Sequence, residues 1–383
     1  MKIGGLYLET QRPRAINRVP YVLFGLVVAV ILYAGLNPDG KPFRNGATWS
    51  TDGPGLEFDG AGLAYTFPFV DEVTAERFRE SGFTLEMVLE VPDAVGSKFM
   101  FLADFHDGSD ANQLLLGQWR RWLILMNGDD YDHSRRLPRI SVDLSSDLGR
   151  PLLVTCTSGV EGSRVYIDGV LRFEKRDVRL TIPGGLPSGR LVLGNSVYGD
   201  NPWTGRLGGI SLYSRVQSPE EVRDNHTHRH GILALSPIRP EGCELWVPMV
   251  EGRGEIAWDR SGQGRDVAVR SDVTYLSRRV FDPLSSYGRF DASFWSDFRV
   301  NLFGFVPFGF LLMSLIAGSR KRGMIANIVS VTIAGFLLSV GIEFVQSWFP
   351  ARNSSLLDLL LNTLGAELGA WLWVAFSKFL GRF

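Results

Sequence analysis

Cysteine and surplus charge are both scarce in this 383-residue chain, and each scarcity removes a class of function. Cys156 and Cys243 are the only cysteines and show no Cys-x-x-Cys spacing, so the sequence encodes neither a thiolate zinc site nor a redox pair. A disulfide between them stays open, but the apolar run Leu152-Leu153-Val154-Thr155-Cys156 favours a buried thiol acting as a small hydrophobe. The formal net charge is −1, with no basic stripe interleaved with aromatics, which excludes a general electrostatic grip on nucleic acid. Walker loop, dinucleotide fingerprint, H-E-x-x-H and G-x-S-x-G are all missing. His226, His228 and His230 would share one face of a strand and there could bind metal, although a solvated connector accounts for them more simply.

Long apolar runs, by contrast, are present. Four segments, about 19 to 36, 300 to 318, 324 to 347 and 357 to 379, approach the roughly 20 residues needed to cross about 30 Å of hydrocarbon. The first lacks a small-x-small cleavage site and a lipobox cysteine, so it reads as an uncleaved anchor and not as a signal peptide. Lys2, Arg12, Arg14 and Arg18 precede it, Arg320, Lys321 and Arg322 fill the turn between the second and third helices, and Lys378 and Arg382 lie at the end. Short basic segments stay in the cytoplasm, so the expected topology has four spans, both termini cytoplasmic and residues 37 to 296 extracytoplasmic, in a plasma (inner) membrane.

Between the first two spans the pattern changes to period two, clearest in Phe83-Thr84-Leu85-Glu86-Met87-Val88-Leu89-Glu90-Val91. Short strands are expected at about 56 to 58, 113 to 117, 122 to 126, 152 to 157, 164 to 168, 190 to 194 and 208 to 214, an all-β sandwich or jelly roll. Asp168-Gly169 predicts a two-residue hairpin turn. Ser218-Pro219-Glu220-Glu221 predicts a helix start closed by a capping box. Gly55-Leu56-Glu57-Phe58-Asp59-Gly60, Arg164-Val165-Tyr166-Ile167-Asp168-Gly169, Leu191-Val192-Leu193-Gly194 and Trp203-Thr204-Gly205-Arg206-Leu207-Gly208-Gly209-Ile210, ahead of that helix, resemble the laminin-G-like, concanavalin-A-like jelly-roll family over about 50 to 230. That family's opening Asp-x-Ser-Gly-x-Gly turn stands here after the domain, as Asp259-Arg260-Ser261-Gly262-Gln263-Gly264, so residues 243 to 276 are expected to add strands to the same sandwich. The expected organisation is therefore 1–36, the N-terminus and first span; 37–242, the sandwich; 243–296, added strands and a linker; and 297–383, the remaining spans.

The resemblance implies binding of carbohydrate or protein, in some members with structural calcium. Asp107, Asp110, Asp129, Asp130 and Asp132 offer oxygen ligands of the right kind, while solvated acidic turns explain them without a cofactor. Trp119, Trp122, Tyr131, Tyr198 and Trp203 are the candidates for stacking on sugar, with core packing the competing role for each.

Ionisable and amide groups also stand inside the apolar C-terminal segments. Gly335, Ser339, Glu343 and Gln346 share one helix face, as do Asp358, Asn362, Gly365 and Gly369, the last two at small-xxx-small spacing. Asp297 and Asn301 lie one turn apart, followed by Pro307 and Gly309. With Arg352 these groups are expected near the outer leaflet, where they can meet in one polar cluster. The spacing Asn301-x5-Pro307-x-Gly309, Glu343-x2-Gln346, Pro350-x-Arg352 and Asp358-x3-Asn362-x2-Gly365 resembles the VanZ-like membrane family, over about 291 to 380. That family takes its name from a glycopeptide-resistance accessory protein and implies no set chemistry, so no catalytic residue is assigned and no metal is expected. One function consistent with these features is a non-enzymatic cell-envelope protein whose sandwich binds carbohydrate or protein. Its helices then anchor it and contact lipid-linked material, in polysaccharide assembly or glycopeptide tolerance. The alternative is a membrane enzyme acting on a lipid-linked or polysaccharide substrate through Glu343, Asp358 and Arg352. A third is adhesion by the sandwich alone.

Overall fold

The computed structural model describes residues 18–37, 45–66, 71–92, 98–184, 189–228, 241–271, 276–277, 280–282, 284, 292–317, 323–348 and 354–381. The chain divides into two compact units, Met1–Asn37 with Val280–Phe349 and Asn353–Phe383, and Pro38–Arg279 with Pro350–Arg352.

The first unit is helical: α1 (Val19–Leu36), α4 (Ala292–Gly304), α5 (Val306–Ile316), α6 (Met324–Gln346) and α7 (Leu356–Phe379). With α4 and α5 counted as one span, Phe294–Ile316, these make four helices long and apolar enough to cross a membrane. Its burial pattern is the inverse of a soluble bundle. Val30, Val300, Ile325, Leu337, Leu364 and Phe376 face outward, while Asn327, Ser339, Glu343, Asn362 and Ser377 are buried. Lipid provides no drive to hide leucine, but it penalises an unpaired amide or carboxylate. The second span begins at Phe294 instead of about 300, and it is broken at Phe305. Pro307 has no N–H to donate back and its ring crowds the preceding turn, so α5 restarts with proline in its first turn.

The second unit is an antiparallel sandwich. One sheet runs β1 (Ala47–Trp49), β2 (Leu56–Asp59), β13 (Thr204–Tyr213), β4 (Phe83–Glu90), β9 (Pro151–Gly159), β10 (Gly162–Ile167) and β11 (Val170–Lys175), with β14 (Cys243–Val247) also paired to β13. The other runs β15 (Ile256–Ala257), β16 (Val267–Ala268), β3 (Ala64–Thr66), β12 (Arg190–Leu193), β5 (Phe99–His106), β6 (Leu114–Trp119), β7 (Trp122–Asn127) and β8 (Arg139–Asp143). The added segment therefore does return to the sandwich, placing one strand in one sheet and two in the other. Leu85, Met87, Leu89, Val154, Cys156, Val165 and Ile210 from the first sheet meet Ala103, Phe105, Leu116, Leu125, Ile140 and Leu193 from the second. Both cysteines are free and buried, and burial pushes the Cys156 thiol up to about 12.

Local chemistry explains the turns. Asp168 and Gly169 take φ of 50° and 73°, the left-handed pair that a tight hairpin between β10 and β11 needs. In α3 (Pro219–His228) the capping box is reciprocal: Glu221 N donates to Ser218 Oγ at 3.2 Å and Ser218 N to Glu221 Oε2 at 2.9 Å. His226 lies on this helix and not on a strand; the His228 side chain and His230 fall outside the described residues. The Asp259 carboxylate accepts from the N–H groups of Trp246, Ser261 and Arg265 and from the Ser261 hydroxyl, which ties the added turn to β14. A short helix absent from the strand pattern, α2 (Glu72–Ser81), is capped by Asp71 and buries Thr74, Ala75 and Phe78.

Candidate functional sites

In the helical unit five of the predicted polar residues make hydrogen bonds between elements. Asn301 Nδ2 on α4 donates to Asp358 Oδ1 on α7 at 2.6 Å. Gln346 Nε2 on α6 donates to the Gly35 carbonyl of α1 at 2.8 Å, and Asn362 Nδ2 on α7 to Ser339 Oγ on α6 at 3.0 Å. Glu343 Oε2 accepts from Ser355 N at 2.8 Å, at the start of α7. Ser355 is itself the N-cap, its hydroxyl accepting from Leu357 N and Asp358 N. The spacing of Ser355 ahead of Asp358 was a readable cap signal that helical-face periodicity overlooks. Asp297 is exposed on α4, one turn before Asn301, and Arg352 lies outside the described residues. Among the described residues these carboxylates and amides make three interhelix links and one capping contact. Asn362 Oδ1 is the exception, a buried acceptor without a hydrogen-bond partner.

The role of Glu343 can be checked directly. Glu343→Gln keeps an acceptor for the Ser355 N–H and is expected to melt near the parent in detergent, whereas Glu343→Leu orphans that N–H at a cost of about 1–3 kcal/mol. Equal melting of the two variants would mean that the contact does not support the fold.

In the sandwich unit the second sheet presents a face turned away from the core, and most of the predicted aromatics stand there. Trp119 and Trp122 are direct cross-strand partners at the end of the β6–β7 hairpin. Trp119 is 39% exposed, Trp122 is half-buried, and the guanidinium carbons of Arg120 and Arg121 lie 5.0 and 5.7 Å from their respective ring centres. Tyr131 packs beside them with ring centres 5.7 Å from Phe99 and 5.3 Å from Phe101, its hydroxyl accepting from Gln113 Nε2 at 2.7 Å. Tyr198 stands half-buried elsewhere, edge-on to His106. Trp203 is a correction to the expected set. It is 1% exposed in the core and its indole N–H donates to Gln118 Oε1 at 2.7 Å, so no ring face is open to a ligand.

Between the aromatic patches runs an acidic strip that strand periodicity did not reveal. Asp104 on β5 is flanked across the ladder by Val192 and Leu115, is fully buried, and has neither carboxyl oxygen hydrogen-bonded. Burial pushes it up to about 8; His106 opposes that rise, while Asp110, Asp200 and Asp107 add to it. His106 Nδ1 accepts from Gly108 N at 2.9 Å, which leaves Nε2–H to donate to Asp110 Oδ1 at 3.0 Å. The carboxylates weighed for calcium are otherwise engaged: Asp107 accepts from Ser109 N, Asp132 from Ser134 N, Asp130 from Arg135 N and Leu137 N, and Asp129 pairs with Arg135. Among the described residues no group of three His, Cys, Asp or Glu side chains is placed to hold a metal ion.

Residues 258–377 match the family model described as VanZ/LLP1, and residues 71–223 match that of the concanavalin A-like lectin/glucanases superfamily. No curated protein matches the chain. Among solved structures it is similar to a carbohydrate binding protein from Bacteroides ovatus, with 14% identity, 62% of this chain and 63% of that one covered, and a TM-score of 0.41. It is also similar to the receptor binding domain of a botulinum neurotoxin C/D mosaic serotype (12% identity, 49% and 45% covered, TM-score 0.39). A third is a Trypanosoma rangeli sialidase (19% identity, 49% and 29% covered, TM-score 0.35). The chain spans less than two thirds of the length of each.

Proposed function

We propose, for a chain that joins a VanZ/LLP1 membrane segment to a concanavalin-A-like jelly roll, that it is a non-enzymatic receptor holding an envelope glycan at the membrane surface. The observation that carries this reading is the Trp119–Trp122 pair, two large aromatic side chains placed side by side, with Trp119 exposed and Trp122 half-buried against Phe101, Leu115, Ile124 and Met126. Each ring has a guanidinium over one face, so a sugar would stack on the other face with its hydroxyls within reach of the arginine donors. The helices serve as the anchor, their carboxylates and amides engaged in holding one helix to another. The basic residues before the first span, between the second and third, and at the end support cytoplasmic termini and an outer sandwich.

The test uses the full chain in nanodiscs with soluble envelope polysaccharides and peptidoglycan fragments. Trp119→Ala with Trp122→Ala is expected to weaken glycan binding roughly thirtyfold, the loss of about 2 kcal/mol typical of a tryptophan anchor. Unchanged affinity in that variant, with the fold intact by circular dichroism, would sink the stacking platform.

A further inference from the structure

The β7–β8 loop is organised by one buried carboxylate. Asp130 accepts from Arg135 N at 3.0 Å and from Leu137 N at 2.9 Å, and its Oδ2 lies 3.6 Å from His133 Nδ1. Burial alone would favour the neutral acid, but these donors prevail and hold the carboxyl below its usual range. Wrapped around Asp130, the loop sets two non-glycine residues in the left-handed region, His133 at φ 59° and Arg136 at φ 56°. Such backbone costs on the order of 1 kcal/mol per residue and tends to persist where a side chain is being aimed.

Both residues line one open cavity of about 420 Å³, together with Leu137 and Pro138 of the loop, Arg139 and Ser141 of β8, and Lys175 and Asp177 at the end of β11. Its charge is one-sided. Arg136, Arg139 and Lys175 are positive, His133 adds to them when protonated, and Asp177 is the only carboxylate in the lining. Among the described residues Arg136, Arg139 and Lys175 have no ion-pair partner, although arginines elsewhere in this unit repeatedly find one. Arg139 is partly buried, and burial pushes its guanidinium below the ordinary range despite the pull of Asp130 and Asp132. A partly desolvated cation without a counterion is the arrangement that a bound anion relieves.

The register connects this cavity to the aromatic pair. Arg139 pairs with Met126 while Asp143 pairs with Trp122, so Arg139 sits on the same sheet face four residues along, roughly 13 Å away at strand rise.

We propose that this pocket binds the anionic group, whether carboxylate, sulfate or phosphate, of a charged glycan whose sugar rings lie on Trp119 and Trp122. The proposal rests on the glycan reading above and narrows it to acidic polysaccharides.

The experiment uses the full chain in nanodiscs and two matched probe pairs, polygalacturonate with its methyl-esterified form and dextran sulfate with dextran. At low salt the charged member of at least one pair is expected to bind at least tenfold tighter than its neutral partner, with the difference shrinking as salt rises. Arg139→Gln with Lys175→Gln is expected to abolish that difference while leaving binding of the neutral member unchanged. Arg253→Gln, an exposed arginine outside the pocket, should preserve it. A preference that survives in the double variant, or that falls equally with Arg253→Gln, overturns the pocket. Inorganic sulfate competing as well as an equal concentration of polymer-borne sulfate overturns the glycan and leaves a small-anion site. Trp119→Ala with Trp122→Ala separates the two readings: unchanged neutral binding defeats the platform, whereas a charge preference still dependent on Arg139 upholds the pocket. No binding by any probe overturns both.

Discussion

Gly369→Ala is expected to unseat α7 from α5 and to abolish the helical unit as a folded body, although it adds a single methyl group. A Cβ at Gly369 would stand 2.1 Å from the Val306 carbonyl oxygen and 2.7 Å from Phe310 N, and one at Gly365 would stand 2.1 Å from the Leu302 oxygen. Gly309 on α5 makes the reciprocal approach, 1.9 Å from the Ala366 oxygen. All of these obstacles are backbone, which cannot rotate aside as a side chain would, so the helices must separate. In lipid that separation is serious, because close packing between small residues is what drives helices together when apolar burial does not. The cost is expected to exceed the usual 1–3 kcal/mol of overpacking. Gly341→Ala is the control, since nothing lies within 4 Å of its Cβ position; replacing glycine by alanine there favours the helix by about 1 kcal/mol. Thermal melting in detergent and protease resistance compare the two. If Gly369→Ala melts with the parent, α7 does not seat on α5 in this way.

The sandwich is expected to lose stability as pH rises from about 4 to about 8, opposite to the usual behaviour of a domain rich in paired carboxylates. Asp104 carries the effect. Its pKa is near 4 in the unfolded chain and about 8 when folded, so between those values unfolding releases a proton and higher pH favours the unfolded state. Below about 4 the carboxyl is neutral in both states and its contribution is fully present; above about 8 it is ionised in both and the contribution is gone. One carboxyl exchanges at most one proton, so its slope is at most about 1.4 kcal/mol per pH unit. His106 acts in the same direction. Burial works against its charge, but Asp110, Asp104 and Asp107 raise its pKa, so its contribution too is lost as pH rises. Asp104→Asn is neutral at every pH and of nearly the same shape. It is expected to flatten most of the pH dependence and to raise the melting temperature at pH 8, read by near-ultraviolet circular dichroism of the full chain. A parent whose stability is level from pH 5 to pH 8 would contradict this.

Sequence and structure diverge most clearly on β4. Its alternation reads as a strand with one wet face, yet Thr84 and Glu86 on the supposedly wet side are fully buried. Glu86 accepts from Ser211 Oγ at 2.9 Å on β13 and from Asn225 Nδ2 at 3.3 Å on α3. The capping box was readable, but not that its helix would lie over this face, because Asn225 and Glu86 are 139 residues apart. Helix α2 escaped because its three buried positions, Thr74, Ala75 and Phe78, form too short an apolar pattern. Strand β5 escaped because its residues are buried on both faces, which removes the alternation by which strands are recognised.

The sequence by itself determined four apolar spans, a jelly roll between the first two, the hairpin at Asp168-Gly169, the cap at Ser218 and the small-residue face of α7. Hydropathy, side-chain period and turn chemistry are local properties, carried by neighbours in the chain whatever lies further off. Only the tertiary structure decided that Trp203 is core while Trp119 is open, that Glu343 serves the Ser355 N–H, and that Arg136, Arg139 and Lys175 converge on one cavity. Those outcomes depend on which distant donor reaches which acceptor and on which groups water can still reach, and packing alone sets both.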